Sequence, residues 1–336
     1  MRDTTGGRLA ADRPASPTRR GLLAAGLSFA ALGARRAQAA SATGVAPERA
    51  RGRALLAAAR LWGCQYQEID PQRIAASDLD LVVVEPMLDD WSMRAIEPAE
   101  LAAMRVKPDG SRRLVLAYLP LGETDTNRWY WPRRWRRSPP DWVGAENPSW
   151  PGSRYVRYWH PRWRSLLLDG PDSLLGRILA IGYDGALLDR VDAYLDWRDE
   201  RPQGMDDMVA LVAQTAARAR AHDPGFLLLP QNAEDLLLRE DWLALIDAHN
   251  KESLLYGLAG QGIPNDVSDV AWSLVRLKHA GAAGIRMLAT EYLDDPQEVA
   301  SARQRLAALG FLPFVGRREL DVFPGDDRPR DPGRSL

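Results

Sequence analysis

Apolar runs of strand length recur along most of the chain, separated by stretches with helical spacing and punctuated by Gly, Pro and capping residues. Leu61-Trp62-Gly63-Cys64-Gln65-Tyr66-Gln67 reads as a first strand. Leu79 to Glu85, in which Leu81-Val82-Val83-Val84 is bounded by Pro86, reads as a second. A helix opened by Glu97-Pro98 runs to about Arg105, and Arg113 to Leu119 forms a third strand ending in Pro120-Leu121-Gly122-Glu123. After a helix near 172–181, Asp184-Gly185 makes a tight entry to Ala186-Leu187-Leu188, the fourth strand. An amphipathic helix from Met205 to Ala221, a fifth strand over Phe226 to Pro230 and a helix from Ala233 to Leu243 follow. The sixth strand falls within Ala244 to Glu252, where Asp247-Ala248-His249-Asn250-Lys251 is polar for a barrel interior. Val267 to His279 is the next helix, Gly284 to Ala289 the seventh strand, Pro296 to Leu309 its helix, and Phe311 to Val315 the eighth strand.

Eight apolar strands alternating with helices, without antiparallel hairpin signals, predict an α/β fold of the parallel (β/α)8 TIM-barrel type. An open doubly wound sheet is the alternative, and it lacks a nucleotide fingerprint. The rhythm breaks once, after the third strand. Residues 124–165 hold seven of the chain's twelve Trp (129, 131, 135, 142, 150, 159 and 163) among Pro, Arg and Asn. A connection longer than ~12–15 residues is functional or disordered, and disorder is poor in Trp. Aromatic faces and Arg forks suit a sugar-binding groove, while several Trp together also make a small core. Both uses are expected here, with Trp129 and Trp131 as the rings at the ligand.

At the amino end, Thr18-Arg19-Arg20-Gly21-Leu22-Leu23 precedes an apolar run to Ala34 and then Ala37-Gln38-Ala39. Basic region, short apolar core and small-x-small site are the parts of an export signal, and the paired Arg is of the twin-arginine type. Fourteen apolar residues fall short of the ~20 that a permanent membrane helix needs. The reading is therefore a signal over 1–39, a linker over 40–60 running into a short helix, the barrel over 61–320 and a disordered tail over 321–336. It predicts an exported protein, periplasmic or extracellular. Twin-arginine export carries folded chains, which suits a protein with one cysteine, Cys64, and hence no intrachain disulfide.

The charge balance is near zero, 44 basic against 45 acidic side chains, which excludes a broad basic footprint for nucleic acid. Without the first 39 residues, which carry seven Arg and two Asp, 37 basic face 43 acidic residues. The four His (160, 222, 249 and 279) never fall at metal-ligand spacing, and there is no phosphate loop or nucleophile elbow. No metal and no cofactor is expected.

Candidate chemistry lies at the carboxyl ends of the strands, where barrel enzymes keep it. Asp189 and Asp192 follow the fourth strand, although Asp192 also reads as a cap for the next helix. Glu85, Glu123, Glu252 and Glu291 end other strands, with Tyr66, Tyr118, Asn232 and Tyr292 at matching positions. A ring of acids without metal ligands or a nucleophile triad points to glycosidic bond cleavage, which needs one acid for the leaving oxygen and a second carboxylate opposite it.

Several blocks together resemble one family. They are Gln65-Tyr66-Gln67, Tyr118 to Glu123 with Arg128-Trp129-Tyr130-Trp131, Glu146-Asn147-Pro148-Ser149-Trp150, Asp184-Gly185 through Leu188-Asp189-Arg190-Val191-Asp192, Gln231-Asn232, Glu252-Ser253-Leu254-Leu255-Tyr256-Gly257 and Glu291-Tyr292. In this order, over residues 61 to 320, they resemble glycoside hydrolase family 114, the endo-α-1,4-polygalactosaminidase type of barrel. The resemblance implies hydrolysis of α-1,4-linked galactosamine chains, a cationic polysaccharide suited to an acidic mouth. It implies Asp189 as nucleophile and Glu252 as acid/base. Tyr66, Tyr118, Glu123, Asp184, Asp192, Asn232, Glu291 and Tyr292 become subsite or supporting residues. Glu85 departs from the family, which more often has Asp there. The alternatives are a barrel that binds carbohydrate without turnover and a glycosidase of another polysaccharide.

Overall fold

The computed structural model describes residues 46–89 and 94–324. The expected export signal, the start of the expected linker and the chain beyond 324 lie outside the described residues. Eight parallel strands follow one another: β1 (Trp62–Gln65), β2 (Leu81–Val84), β3 (Leu114–Pro120), β4 (Gly185–Asp189), β5 (Leu227–Pro230), β6 (Ala248–Glu252), β7 (Arg286–Tyr292) and β8 (Leu312–Gly316). Parallel ladders join β1 through β5 in chain order, and β6 through β8 likewise. Between β5 and β6 the ring continues through a parallel bridge of Gln231 with Asn250 and a backbone bond from Asp247 to Leu228. Between β8 and β1 the indole of Trp62 donates to the Leu312 carbonyl at 2.9 Å and packs edge-on against Phe314.

Side chains alternate across these strands, as the period of two demands. Leu81, Val83, Leu114, Leu116, Leu187, Leu229, Ala248 and Leu288 fill the interior, and Val82, Val84, Val115, Ala117, Ala186, Leu188 and Leu228 face the helices. Carried to the strand ends, the same parity turns Tyr118, Asp189, Gln231, Glu252 and Tyr292 inward. The polar sixth strand has a simple account: Asn250 and Glu252 belong to this interior set, whereas His249 and Lys251 lie buried on the outer side.

The helices are α1 (Pro47–Ala58), α2 (Pro71–Ala75), α3 (Pro98–Met104), α4 (Pro161–Leu168), α5 (Leu174–Ile181), α6 (Gly204–His222), α7 (Glu240–Leu245), α8 (Val267–Ala282) and α9 (Pro296–Ala308). Where the sequence suggests a linker running into a short helix, α1 packs onto the amino-terminal end of the barrel. Leu56 joins the interior core, and Arg49 and Arg53 bond the buried Asp247 at 2.6 and 2.7 Å. The single helix expected over 233–243 is divided into a 3-10 turn, Glu234–Leu238, and α7. Ala233 is left-handed (φ 59°) and Arg239 extended, so neither can sit in a helix; Arg239 instead forks onto Asp241 in the first turn of α7.

Antiparallel pairing does occur, contrary to the sequence reading. Met87–Asp89 pairs with Arg94–Ala95, and the insertion after β3 folds as a three-stranded antiparallel sheet of Glu123–Asp125, Ser153–Val156 and Val143–Glu146, with Ser153–Val156 central. These strands carry few consecutive apolar residues, so the hydrophobic pattern does not reveal them. Its Trp form the small core that holds it down: Trp131, Trp135, Trp142 and Trp163 follow one another at ring separations of 5.3, 5.5 and 5.3 Å. Trp163 pins them to the barrel by donating to the Leu121 carbonyl at 2.8 Å.

Candidate active site

Each strand that supplies a polar residue ends on a backbone anchor. The amide of Leu121 donates to the Asp189 carbonyl, that of Gln231 to Leu188, that of Asn232 to Asn250 and that of Ser253 to Thr290. The chain then leaves the barrel abruptly. Arg190, Asn232 and Ser253, directly after Asp189, Gln231 and Glu252, have φ of 56°, 60° and 55°. A left-handed residue other than Gly costs about 1–2 kcal/mol, so three in a row of strand ends are held there by their surroundings. Gly122 serves the same turn from β3. A Cβ there would stand 2.3 Å from that of Ala193 and 2.5 Å from the Arg190 carbonyl, so only Gly admits the close approach.

Asp189 and Glu252 converge. The Gln231 amide nitrogen donates to Asp189 Oδ1 at 3.1 Å and to Glu252 Oε2 at 3.3 Å, bridging the two. Those oxygens are therefore no more than about 6.4 Å apart, the two bonds laid end to end. Tyr118 donates its hydroxyl to Asp189 Oδ2 at 2.6 Å, and the ring of Tyr66 stacks on Tyr118 at 4.5 Å. On the other side, Tyr292 donates to Glu252 Oε1, and Asn232 to Oε2 at 3.2 Å. Both carboxylates keep part of their surface open to solvent at the carboxyl end of the barrel.

Counter-charge separates these two acids from the rest of the ring. Arg190 pairs with Glu123 at 2.8 Å, with Asp192 at 3.3 Å and with Asp196. Arg128 forks onto Glu85 at 2.6 and 2.7 Å. Glu291, fully buried, accepts from the backbone amides of Leu255 and Tyr256 at 2.7 and 3.2 Å and so shapes the loop after β6. Among the described residues, neither Asp189 nor Glu252 has an ion pair. Both are held by neutral donors, which leaves them electrostatically free to change protonation or attack. Burial raises the pKa of Glu252, and the charge of nearby Asp189 adds to it, so Glu252 keeps its proton to higher pH than an ordinary glutamate. Burial likewise pushes Asp192 up to about 6 against the opposing pull of Arg190.

The remaining candidates are spread more widely than the sequence list suggests. Asp184 precedes β4 and lies at the opposite end of that strand from Asp189; its carboxylate takes the Val115 amide at 2.9 Å and pairs with Arg105 and Arg112. Trp131 is buried against Trp135, and Trp129 lies half-buried under the Arg177 guanidinium of α5. Both rings are committed to protein contacts, while Trp150 is the exposed Trp of the insertion. Asp192 makes no capping bond to the turn that follows it. Gln231, Asn250 and Arg190 are the site residues that sequence reasoning missed. The paired amides Gln231-Asn232 at a strand end and the polar β6 were the available signals. Among the described residues no group of three or more His, Cys, Asp or Glu could hold a metal ion, and no helix is long and apolar enough to cross a membrane.

Known proteins resemble this chain in sequence and in fold. The glycoside-hydrolase family GH114 model matches residues 62–324. An uncharacterized protein of Deinococcus radiodurans is 35% identical over 269 residues, covering 79% of this chain and 83% of its own length. One of Thermotoga maritima is 26% identical over 275 residues, 78% of this chain and 81% of that protein. Among solved structures, the glycoside hydrolase domain of PelA from Pseudomonas aeruginosa superposes with a TM-score of 0.61 at 22% identity, over 79% of this chain and 98% of that domain. Aspergillus fumigatus Ega3, in complex with galactosamine, superposes at 0.55 with 15% identity, over 78% and 93%. A barrel whose strand ends bring two unpaired carboxylates together has the equipment for hydrolysing glycosidic bonds, and this chain belongs to glycoside-hydrolase family GH114.

Proposed function

We propose that the protein hydrolyses α-1,4-linked galactosamine-containing polysaccharide by double displacement, with Asp189 as nucleophile and Glu252 as acid/base. The observation that carries this is the Gln231 amide within 3.1 and 3.3 Å of both carboxylates, which brings the two acids to one point. Glu252, its pKa raised by burial and by Asp189, is suited to carry the proton. It protonates the glycosidic oxygen while an Asp189 oxygen attacks the anomeric carbon; the bond to the leaving sugar breaks and a glycosyl-Asp189 ester forms. Glu252, now ionised, takes a proton from water whose oxygen attacks the same carbon, releasing Asp189 and restoring the Glu252 proton. Tyr118 holds the Asp189 oxygen that does not attack, and Tyr292 holds Glu252.

For the substrate, the supports are the blocks resembling the polygalactosaminidase type, the capture of galactosamine by Ega3 and the surplus of acid at this mouth. A partly deacetylated galactosamine chain is cationic, and such a field attracts it. The twin-arginine pattern ahead of residue 40 supports action outside the cytoplasm. The experiment is reducing-end release from partially deacetylated α-1,4-galactosamine polymer, with Asp189→Asn and Glu252→Gln compared in parallel. Release by the native protein, lost by a factor of at least ~10³ in either folded variant, is the expected result. Binding of the polymer without release would instead indicate a barrel that has given up turnover.

A further inference from the structure

We infer that Asn250 and Thr290 are positioning residues that hold the Gln231 side chain donor-end first towards both carboxylates, and that Lys251 does the same for Asn232. The inference rests on the reading of Asp189 and Glu252 as the reacting pair.

A side-chain amide has two ends of nearly equal size and opposite polarity, so packing does not choose between its two orientations; hydrogen bonds do. Parity places Gln231, Asn250 and Thr290 inward on three adjacent strands, all nearly inaccessible to water. The Thr290 hydroxyl donates to Asn250 Oδ1 at 3.2 Å. With its oxygen so occupied, Asn250 turns its nitrogen to Gln231 Oε1, 2.7 Å away. Gln231 is thereby left with only its nitrogen to present upward, where it meets Asp189 and Glu252. Reversal of Gln231 would set its nitrogen against that of Asn250 and its oxygen against the carboxylates, and reversal of Asn250 would set its oxygen against Gln231 Oε1.

The second lock comes from the outer side of the barrel. Asn232 Oδ1 accepts from the Glu252 amide at 3.1 Å and from the Lys251 ammonium at 3.4 Å, so its nitrogen must face Glu252. Lys251 is in turn fixed by buried Glu234 at 3.1 Å, which also accepts from Ser273 at 2.8 Å. Once Glu252 has lost its proton, the two carboxylates, within about 6.4 Å, repel strongly in a partly desolvated site. Amide hydrogens aimed between them offset that repulsion, whereas a reversed Gln231 would add its carbonyl dipole to it. The titratable groups facing Glu252 are Asp189 and Asp192 after β4, Lys251 beside it, Tyr292 from β7 and Cys64 from β1. Neither Asn250 nor Thr290 is ionisable, so a changed pH profile in Thr290→Val reports on the carboxylates, while Asn250→Asp, which brings an acid of its own, is read by its rate.

Asn250→Asp is the informative variant. Once ionised, an aspartate there has only acceptors, and Gln231 must turn over to donate to it, presenting its carbonyl to the carboxylates. Thr290→Val removes the donor that orients Asn250 at constant shape, and Thr290→Ser restores it. Rates on the galactosamine polymer would be measured from pH 4 to 9, with Glu252→Gln as reference and circular dichroism to verify folding. The expected result is a kcat about 100-fold lower for Asn250→Asp and about tenfold lower for Thr290→Val, with KM within about threefold in both and the pH limbs of Thr290→Val displaced by about one unit. Thr290→Ser should retain the native profile. A native kcat in Asn250→Asp, unmoved limbs in Thr290→Val, or a Thr290→Ser as impaired as Thr290→Val, would overturn the inference while an inactive Glu252→Gln leaves the catalytic pair standing. A fully active Glu252→Gln would overturn the catalytic pair itself.

Discussion

Asp247 tests how the amino-terminal end of the barrel is held. Its carboxylate is fully buried and accepts from Arg49 at 2.6 Å, Arg53 at 2.7 Å, Arg220 at 3.0 Å and the Leu228 amide at 2.9 Å. Asp247→Ala leaves three guanidiniums facing one another without their shared anion. Charged hydrogen bonds contribute about 1.5–3 kcal/mol each, but the loss is not their sum. Each Arg keeps a carbonyl: Arg49 and Arg220 that of Leu245, at 3.2 and 2.7 Å, and Arg53 that of Ile246, at 2.7 Å. What remains is the removal of one partner from a buried cluster, about 3–5 kcal/mol. Arg53→Met should cost only about 1 kcal/mol, because Arg53 is a third exposed and its loss also relieves repulsion with Arg49 and Arg220. Urea denaturation followed by Trp fluorescence reads both, and the Asp247→Ala change corresponds to a fall in Tm of roughly 10 °C. The kcat of folded Asp247→Ala should be native, since the residue sits at the end of β6 opposite Glu252. A cost below about 1 kcal/mol, or equal costs for the two variants, would refute the reasoning.

Other consequences follow from the same geometry. Tyr118→Phe and Tyr292→Phe each remove one neutral donor from a carboxylate of the proposed catalytic pair and should lower kcat by about 10–100-fold with little change in KM; a KM effect alone would mean that the hydroxyls serve the sugar. Burial pushes Glu291 up to about 7 from an ordinary 4.5. The folded chain therefore binds this proton more tightly than the unfolded one, and stability of about 3 kcal/mol, fully present below pH ~4.5, is lost as pH rises through ~7. Glu291→Gln should flatten that part of the stability profile, and parallel profiles for the two proteins would count against it. Trp142→Ala empties the centre of the insertion's ring stack and should cost about 3–5 kcal/mol, read as protease cleavage within 124–165 ahead of the barrel. Gly122→Ala should displace the Arg190 turn, costing about 1–3 kcal/mol and reducing activity even in the folded enzyme; native kinetics would show that the turn can yield.

Much of the molecule was legible along the chain because its constraints are local. A strand buried on both faces is usually an apolar run, and a helix on a barrel must repeat its apolar positions, so seven of the eight strands and most of the helices could be read from period and punctuation, while the polar β6 was placed only by its turn in the alternation. Strand direction then put Asp189 and Glu252 at the working end. The exceptions have physical causes. The antiparallel sheet of the insertion is made of short, largely polar strands held down by the packing of Trp rings against one another, and the break at Ala233 and Arg239 reflects the sharp exit of β5.

Only the tertiary structure could separate the acids from one another. Glu123 with Arg190, Glu85 with Arg128, and Asp184 with Arg105 and Arg112 are pairs set by contacts between different strands and loops, and sequence spacing carries no record of them. Pairing stabilises the ionised form and ties a carboxylate to its place, whereas Asp189 and Glu252 keep only neutral donors and remain free to react. The amide relay from Thr290 through Asn250 to Gln231 is of the same kind. Residue type supplies an amide with two equivalent shapes, and only the neighbours assembled by the barrel decide which end meets the carboxylates.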